Sequence, residues 1–100
     1  MSKVMANKLD AFRRDINQME QGIRELEQLS KKVFDETDAL TAMWSGPAHD
    51  VYMAQFANDR DNMNNLLNAL NVHHKEMQEA YRKYASCEQQ VREVVDSIQV

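Results

Sequence analysis

Trp44-Ser45-Gly46-Pro47 is the stretch on which the fold turns. It holds the only proline, the only tryptophan and one of the two glycines in 100 residues. Proline lacks a backbone N–H and fits a helix only in its first turn. The residue before a proline is pushed out of the α region, and Gly46 accepts unusual dihedrals cheaply. Ser45 is placed to cap a following helix, and Asp50 suits that helix's positive end. One helix therefore ends near Met43 and a second begins near Pro47. So short a link permits only a tight antiparallel hairpin.

The sequence on either side supplies the helices. Met5, Leu9, Phe12, Ile16, Met19, Ile23, Leu26, Ser30, Val33, Thr37, Leu40 and Trp44 follow one another at alternating steps of four and three. That is a heptad stripe with Ser30 and Thr37 off-type, and a strand would alternate every second residue instead. Beyond the turn, Tyr52, Phe56, Asp59, Met63, Leu66, Leu70, His73, Met77, Ala80, Tyr84, Cys87, Val91, Val94 and Ile98 keep the same steps. A second column of Leu67, His74, Tyr81 and Val95 runs beside them, so this helix is expected to touch more than one neighbour.

The expectation is one all-α domain over residues 1–100. Helix one covers about 5–43, the turn 44–47 and helix two about 47–97. At ~1.5 Å per residue each helix runs roughly 50 Å or more. A hairpin this long cannot bury all its apolar columns against itself, so two are expected to pair into an elongated four-helix bundle. The core and dimer contacts are then Leu9, Phe12, Ile16, Met19, Ile23, Leu26, Val33, Leu40, Phe56, Met63, Leu66, Leu70 and Met77. Gly22 has two readings: close helix crossing at the dimer centre, or simple tolerance at a surface position.

Composition agrees. Hydrophobic residues make up 43% of the chain, and the scarcity of Gly and Pro argues against sandwiches and barrels. The net charge of −4 is scattered, with no Lys/Arg run, which speaks against nucleic acid and an anionic membrane surface as partners. No stretch approaches the ~20 apolar residues of a membrane span, and no apolar signal-peptide core follows the N-terminus.

Chemistry has little purchase. His73 and His74 are adjacent and lack the i, i+3 or i+4 partner of a helical zinc site. Cys87 is the only cysteine and has no histidine one turn away. No metal, cofactor or catalytic residue is expected. Two features remain. Trp44 reads either as a plug for the bundle's end or as an aromatic anchor for a partner, and the two are compatible. Tyr84 and Glu88 share one helix face.

A Trp-X-Gly in the middle of a two-helix, nearly Gly-free chain of 100 residues, followed by Tyr84-x-x-x-Glu88, resembles the WXG family of ESAT-like proteins exported by type VII secretion systems. The family's longer C-terminal pattern is matched by Tyr84, Glu88, Val91 and Val95. The resemblance implies a helical hairpin that pairs antiparallel as a homodimer, or as a heterodimer with a sister WXG protein or a toxin's helical N-terminal domain. It also implies a composite export signal read by a membrane ATPase of the FtsK/SpoIIIE type. Trp44, Ser45 and Gly46 supply the turn half, and Tyr84, Glu88, Val91 and Val95 the other. On this reading the protein is secreted without a signal peptide. One departure is that the end of the chain stays apolar through Val94, Val95, Ile98 and Val100, where many members carry a flexible tail. The rival roles are escort of a larger type VII toxin, an intracellular coiled-coil interaction protein, and a membrane-active amphipathic protein.

Overall fold

In the computed structural model, which describes residues 3–98, a 39-residue helix α1 (Lys3–Thr41) precedes a 52-residue helix α2 (Pro47–Ile98). Among the described residues there is no strand. The fold is an all-α helical hairpin. Val100, counted above with the apolar end of helix two, lies outside the described residues.

Helix α1 stops two residues before Met43. The Ala42 N–H still reaches the Asp38 carbonyl at 3.0 Å. The N–H groups of Met43 and Trp44 fall back on the carbonyls of Leu40 and Thr41, three residues earlier, at 3.3 and 3.2 Å. That tightening is the usual way a helix end satisfies its last carbonyls. The cap of α2 is Gly46 rather than Ser45. The Gly46 carbonyl accepts the first helical bond, from the Asp50 N–H at 3.1 Å. Gly46 has φ of 116°, a conformation that side chains resist, and Pro47 follows at the first helical position.

The chain divides into two compact units, each built from both helices. One unit is Gln21–Asn71, which contains the turn. Its seam is formed by Ile23, Leu26, Ser30, Phe34, Thr37 and Thr41 of α1 with Met53, Phe56, Arg60, Met63, Leu67 and Leu70 of α2, all buried or half-buried. Several polar groups pair within this unit. Arg60 Nη2 donates to both carboxylate oxygens of Asp38, at 3.0 and 2.9 Å, and its guanidinium lies 5.1 Å from the Phe34 ring centre. The Thr37 and Thr41 hydroxyls bond back to the Val33 and Thr37 carbonyls at 2.8 and 2.9 Å. Asn71 Nδ2 donates to Glu27 Oε1 at 3.3 Å.

The other unit pairs α1 up to Glu20 with α2 from Val72 onward. Ile16 is its best-buried apolar side chain, at 6% exposure. His74 is buried beside it, with Nε2 3.1 Å from the Ile16 carbonyl oxygen. Phe12 and Tyr81 meet edge to face, ring centres 5.9 Å apart. Met5, Leu9, Met19, Met77 and Ala85 are half-buried in the same unit.

The seams follow different columns from the apolar stripes of the sequence. Val33 and Leu40 are exposed in the single chain, while Phe34 and Thr41 turn inward. The cause is the drift of a 3.6-residue helix by ~20° per heptad against a strict 3.5 repeat. In α2 the stripe residues Phe56, Met63, Leu70 and Met77 face inward. Between them the fold selects Arg60, Leu67, His74 and Tyr81, and leaves Tyr52, Asp59, Leu66, His73 and Tyr84 exposed. Specific partners explain the choice: Asp38 for Arg60, the Ile16 carbonyl for His74 and the Phe12 ring for Tyr81.

Candidate functional site

Two surfaces carry the residues singled out from the sequence, one in each unit. The first is the turn. The α1 exit and the Gly46-Pro47 entry to α2 fix the backbone on both sides of Trp44. The indole is neither buried nor loose. It is 41% exposed and rests in an aromatic cluster. His49 meets it edge to face at 5.7 Å and 88°. Tyr52 lies against it at 5.3 Å, tilted by 54°. Tyr52 in turn stacks on Phe56 at 5.9 Å and 28°. Each such aromatic pair contributes ~0.5–1.5 kcal/mol beyond its buried area. Exposed Leu40, Met43 and Val51 extend the apolar surface of this region.

His49 has no place in the stripe read from the sequence, yet it is half-buried and begins the α2 seam that continues through Met53, Phe56 and Arg60. The signal was present: positions 49, 53, 56 and 60 keep the same steps of four and three. The polar character of His49 and Arg60 hid it.

The second surface is the C-terminal part of α2. Tyr84, Glu88, Val91 and Val95 are spaced by four, three and four residues and so lie on one side of the helix. Tyr84 is 62% exposed, and Val91 and Val95 are exposed with it. Glu88 is half-buried and lines a shallow hollow with Ala6, Leu9, Tyr81 and Arg92. Every residue from Gln89 to Ile98 is exposed in the single chain. Cys87, Val91, Val94 and Val95 together form an open, almost wholly apolar patch.

The predicted core residues divide the same way. Ile16 and Ile23 are buried; Leu9, Phe12, Met19, Leu26, Phe56, Met63, Leu70 and Met77 are half-buried; Val33, Leu40 and Leu66 are exposed in the single chain. Gly22 is also exposed, and a methyl group in place of its hydrogen would meet nothing within 4 Å.

Among the described residues no group of three or more His, Cys, Asp or Glu side chains could hold a metal ion, and no helix is long and apolar enough to cross a membrane. What these surfaces can do chemically is bind other apolar, helical surfaces. The model of the WXG100 family, "proteins of 100 residues with WXG", matches residues 4–89. Searches of curated proteins and of solved structures return no match to the chain.

Proposed function

The chain belongs to the WXG100 family, ESAT-like substrates of type VII secretion, and from that premise we propose that it acts as a helical-hairpin homodimer whose Trp44-Ser45-Gly46 turn and Tyr84/Glu88/Val91/Val95 face form a composite export signal. Its role is binding rather than catalysis. It leaves the cell by the type VII route, and the reader of the signal is a membrane ATPase of the FtsK/SpoIIIE type.

One observation carries the dimer. Among the described residues, Ile16 and Ile23 alone of the hydrophobic side chains are buried. Val33, Leu40, Leu66, Tyr84, Val91, Val94 and Ile98 stand exposed on the heptad stripes. Each large aliphatic side chain moved from water into an interface contributes ~1.5–3 kcal/mol. Monomeric proteins rarely leave long apolar stripes uncovered. A second hairpin presents the same stripe and covers both.

A signal divided between subunits would exist only after pairing, so export would select assembled pairs. Trp44 suits the turn half because it is held by neighbours yet open to a partner. A half-exposed aromatic anchor of that kind dominates many interfaces.

Light scattering after size exclusion tests the dimer. A mass twice the 11.7 kDa of the chain is expected. A folded monomer that pairs only with a co-expressed helical domain would overturn the homodimer and favour escort of a larger toxin.

A further inference from the structure

His49 occupies the third position of α2, counted from Pro47, and its ring packs edge to face on the Trp44 indole. With Nδ1 protonated, His49 donates toward Asp50 Oδ1 at 3.3 Å. Tyr52 also packs on the indole, and it is braced by Phe56. The indole therefore rests on two side chains of the first turns of α2, one of which is an imidazole that becomes a cation when protonated.

We propose that His49 is a positioning residue for Trp44, a proton-sensitive seat that fixes the half-exposed pose of the indole. The proposal deepens, and rests on, the reading of Trp44 as half of the export signal. Neutral His49 makes an edge-to-face aromatic pair with the indole. Protonated His49 places a cation against it, and tryptophan is the best aromatic partner for a cation. The charges around the ring decide whether that cation is tolerated. The positive end of α2 opposes it. The Asp50 carboxylate, 3.3 Å from Nδ1, offsets that opposition. Tyr52 is the other titratable group in the cluster. From α1, the seam residues at this end are Thr37 and Thr41, which carry no charge, and the Asp38 carboxylate is held by Arg60. Acidification thus tightens the seat, with Asp50 as its counter-charge.

Trp44 is the only tryptophan, so its emission reports this site alone. A protonated imidazole in contact with indole quenches its fluorescence. The experiment is a pH titration of emission from pH 8 to pH 5 on the full chain, its His49→Gln variant and its Asp50→Asn variant, with helical circular dichroism recorded in the same samples. The expected result is a loss of emission on acidification in the wild type, with unchanged helix content. His49→Gln should abolish that loss, and Asp50→Asn should move its midpoint to lower pH. A transition that survives in His49→Gln, or that coincides with loss of helix, would overturn the proposal. Secretion of Trp44→Ala separates the two ideas. Normal export of Trp44→Ala would sink the signal reading while the fluorescence result still stands. Failed export of Trp44→Ala, with flat wild-type emission, would sink the seat and leave the signal intact.

Discussion

Truncating Ile23 and Leu40 to alanine separates the seam of the hairpin from the surface left for a second chain. Both changes remove the same three carbons, but the side chains sit differently. Ile23 is 6% exposed and Leu40 is 71% exposed. At ~0.8 kcal/mol per buried carbon, with a small cavity term because a two-helix seam can close up, Ile23→Ala costs about 2–3 kcal/mol. The same arithmetic gives Leu40→Ala about 0.7 kcal/mol in the chain alone, since roughly a third of its surface is covered. Domains of this size are stable by only ~5–15 kcal/mol, and each kilocalorie moves the midpoint by ~4–8 °C. Ile23→Ala should therefore lower the thermal midpoint by roughly 8–24 °C at any protein concentration. Leu40→Ala should do little in dilute solution and progressively more as concentration rises, because a dimer contact enters stability through mass action. Thermal unfolding followed by circular dichroism over a wide concentration range measures both. Equal losses from the two variants in dilute solution would refute the seam assigned here.

Other perturbations probe other parts of the chain. Gly46→Ala places a side chain at a φ of 116° and should destabilise by about 1–2 kcal/mol in denaturant titrations. Gly22→Ala should instead stabilise the single chain by up to ~1 kcal/mol, because the added methyl meets open space. A loss of dimer affinity in Gly22→Ala would place a helix crossing at that residue. Asp38→Ala removes the Arg60 ion pair, whose partners are 50% and 41% exposed, and should cost no more than ~1 kcal/mol, with the difference from wild type shrinking in high salt. Val91→Asp and Val95→Asp alter exposed positions and should change chain stability by less than ~0.5 kcal/mol while abolishing export, as read by comparing culture supernatant with cell lysate.

The hairpin was legible because its turn residues are rare elsewhere in the chain. Pro47 cannot lie inside a helix, and Gly46 accepts the backbone angle that the entry to α2 requires. The apolar period then identified both helices. It did not identify which column faces inward. Hydrophobicity favours Leu66 and Tyr52 as readily as Leu67 and Met53, and the selection is made by polar contacts that a stripe cannot encode. Arg60 is drawn inward by Asp38 and Phe34, and His74 by a backbone carbonyl. On α1 the passage from Val33 to Phe34 reflects helical drift, which accumulates with length and is invisible in any one heptad. At the site, Trp44 and Tyr84 stood out by type and spacing. His49 did not, because its contribution depends on ring geometry at a turn rather than on hydrophobicity.

The most direct test of the composite signal is complementation between two damaged copies. In an antiparallel homodimer a Trp44→Ala chain still offers Glu88, and a Glu88→Ala chain still offers Trp44, so a mixed pair retains one intact site. Each variant, tagged differently, is expressed alone and together in an export-competent strain, and the culture supernatant is assayed. A composite signal predicts that neither is exported alone and that both appear outside when expressed together. Efficient export of either variant alone, or continued retention of both despite demonstrated co-assembly, would contradict it.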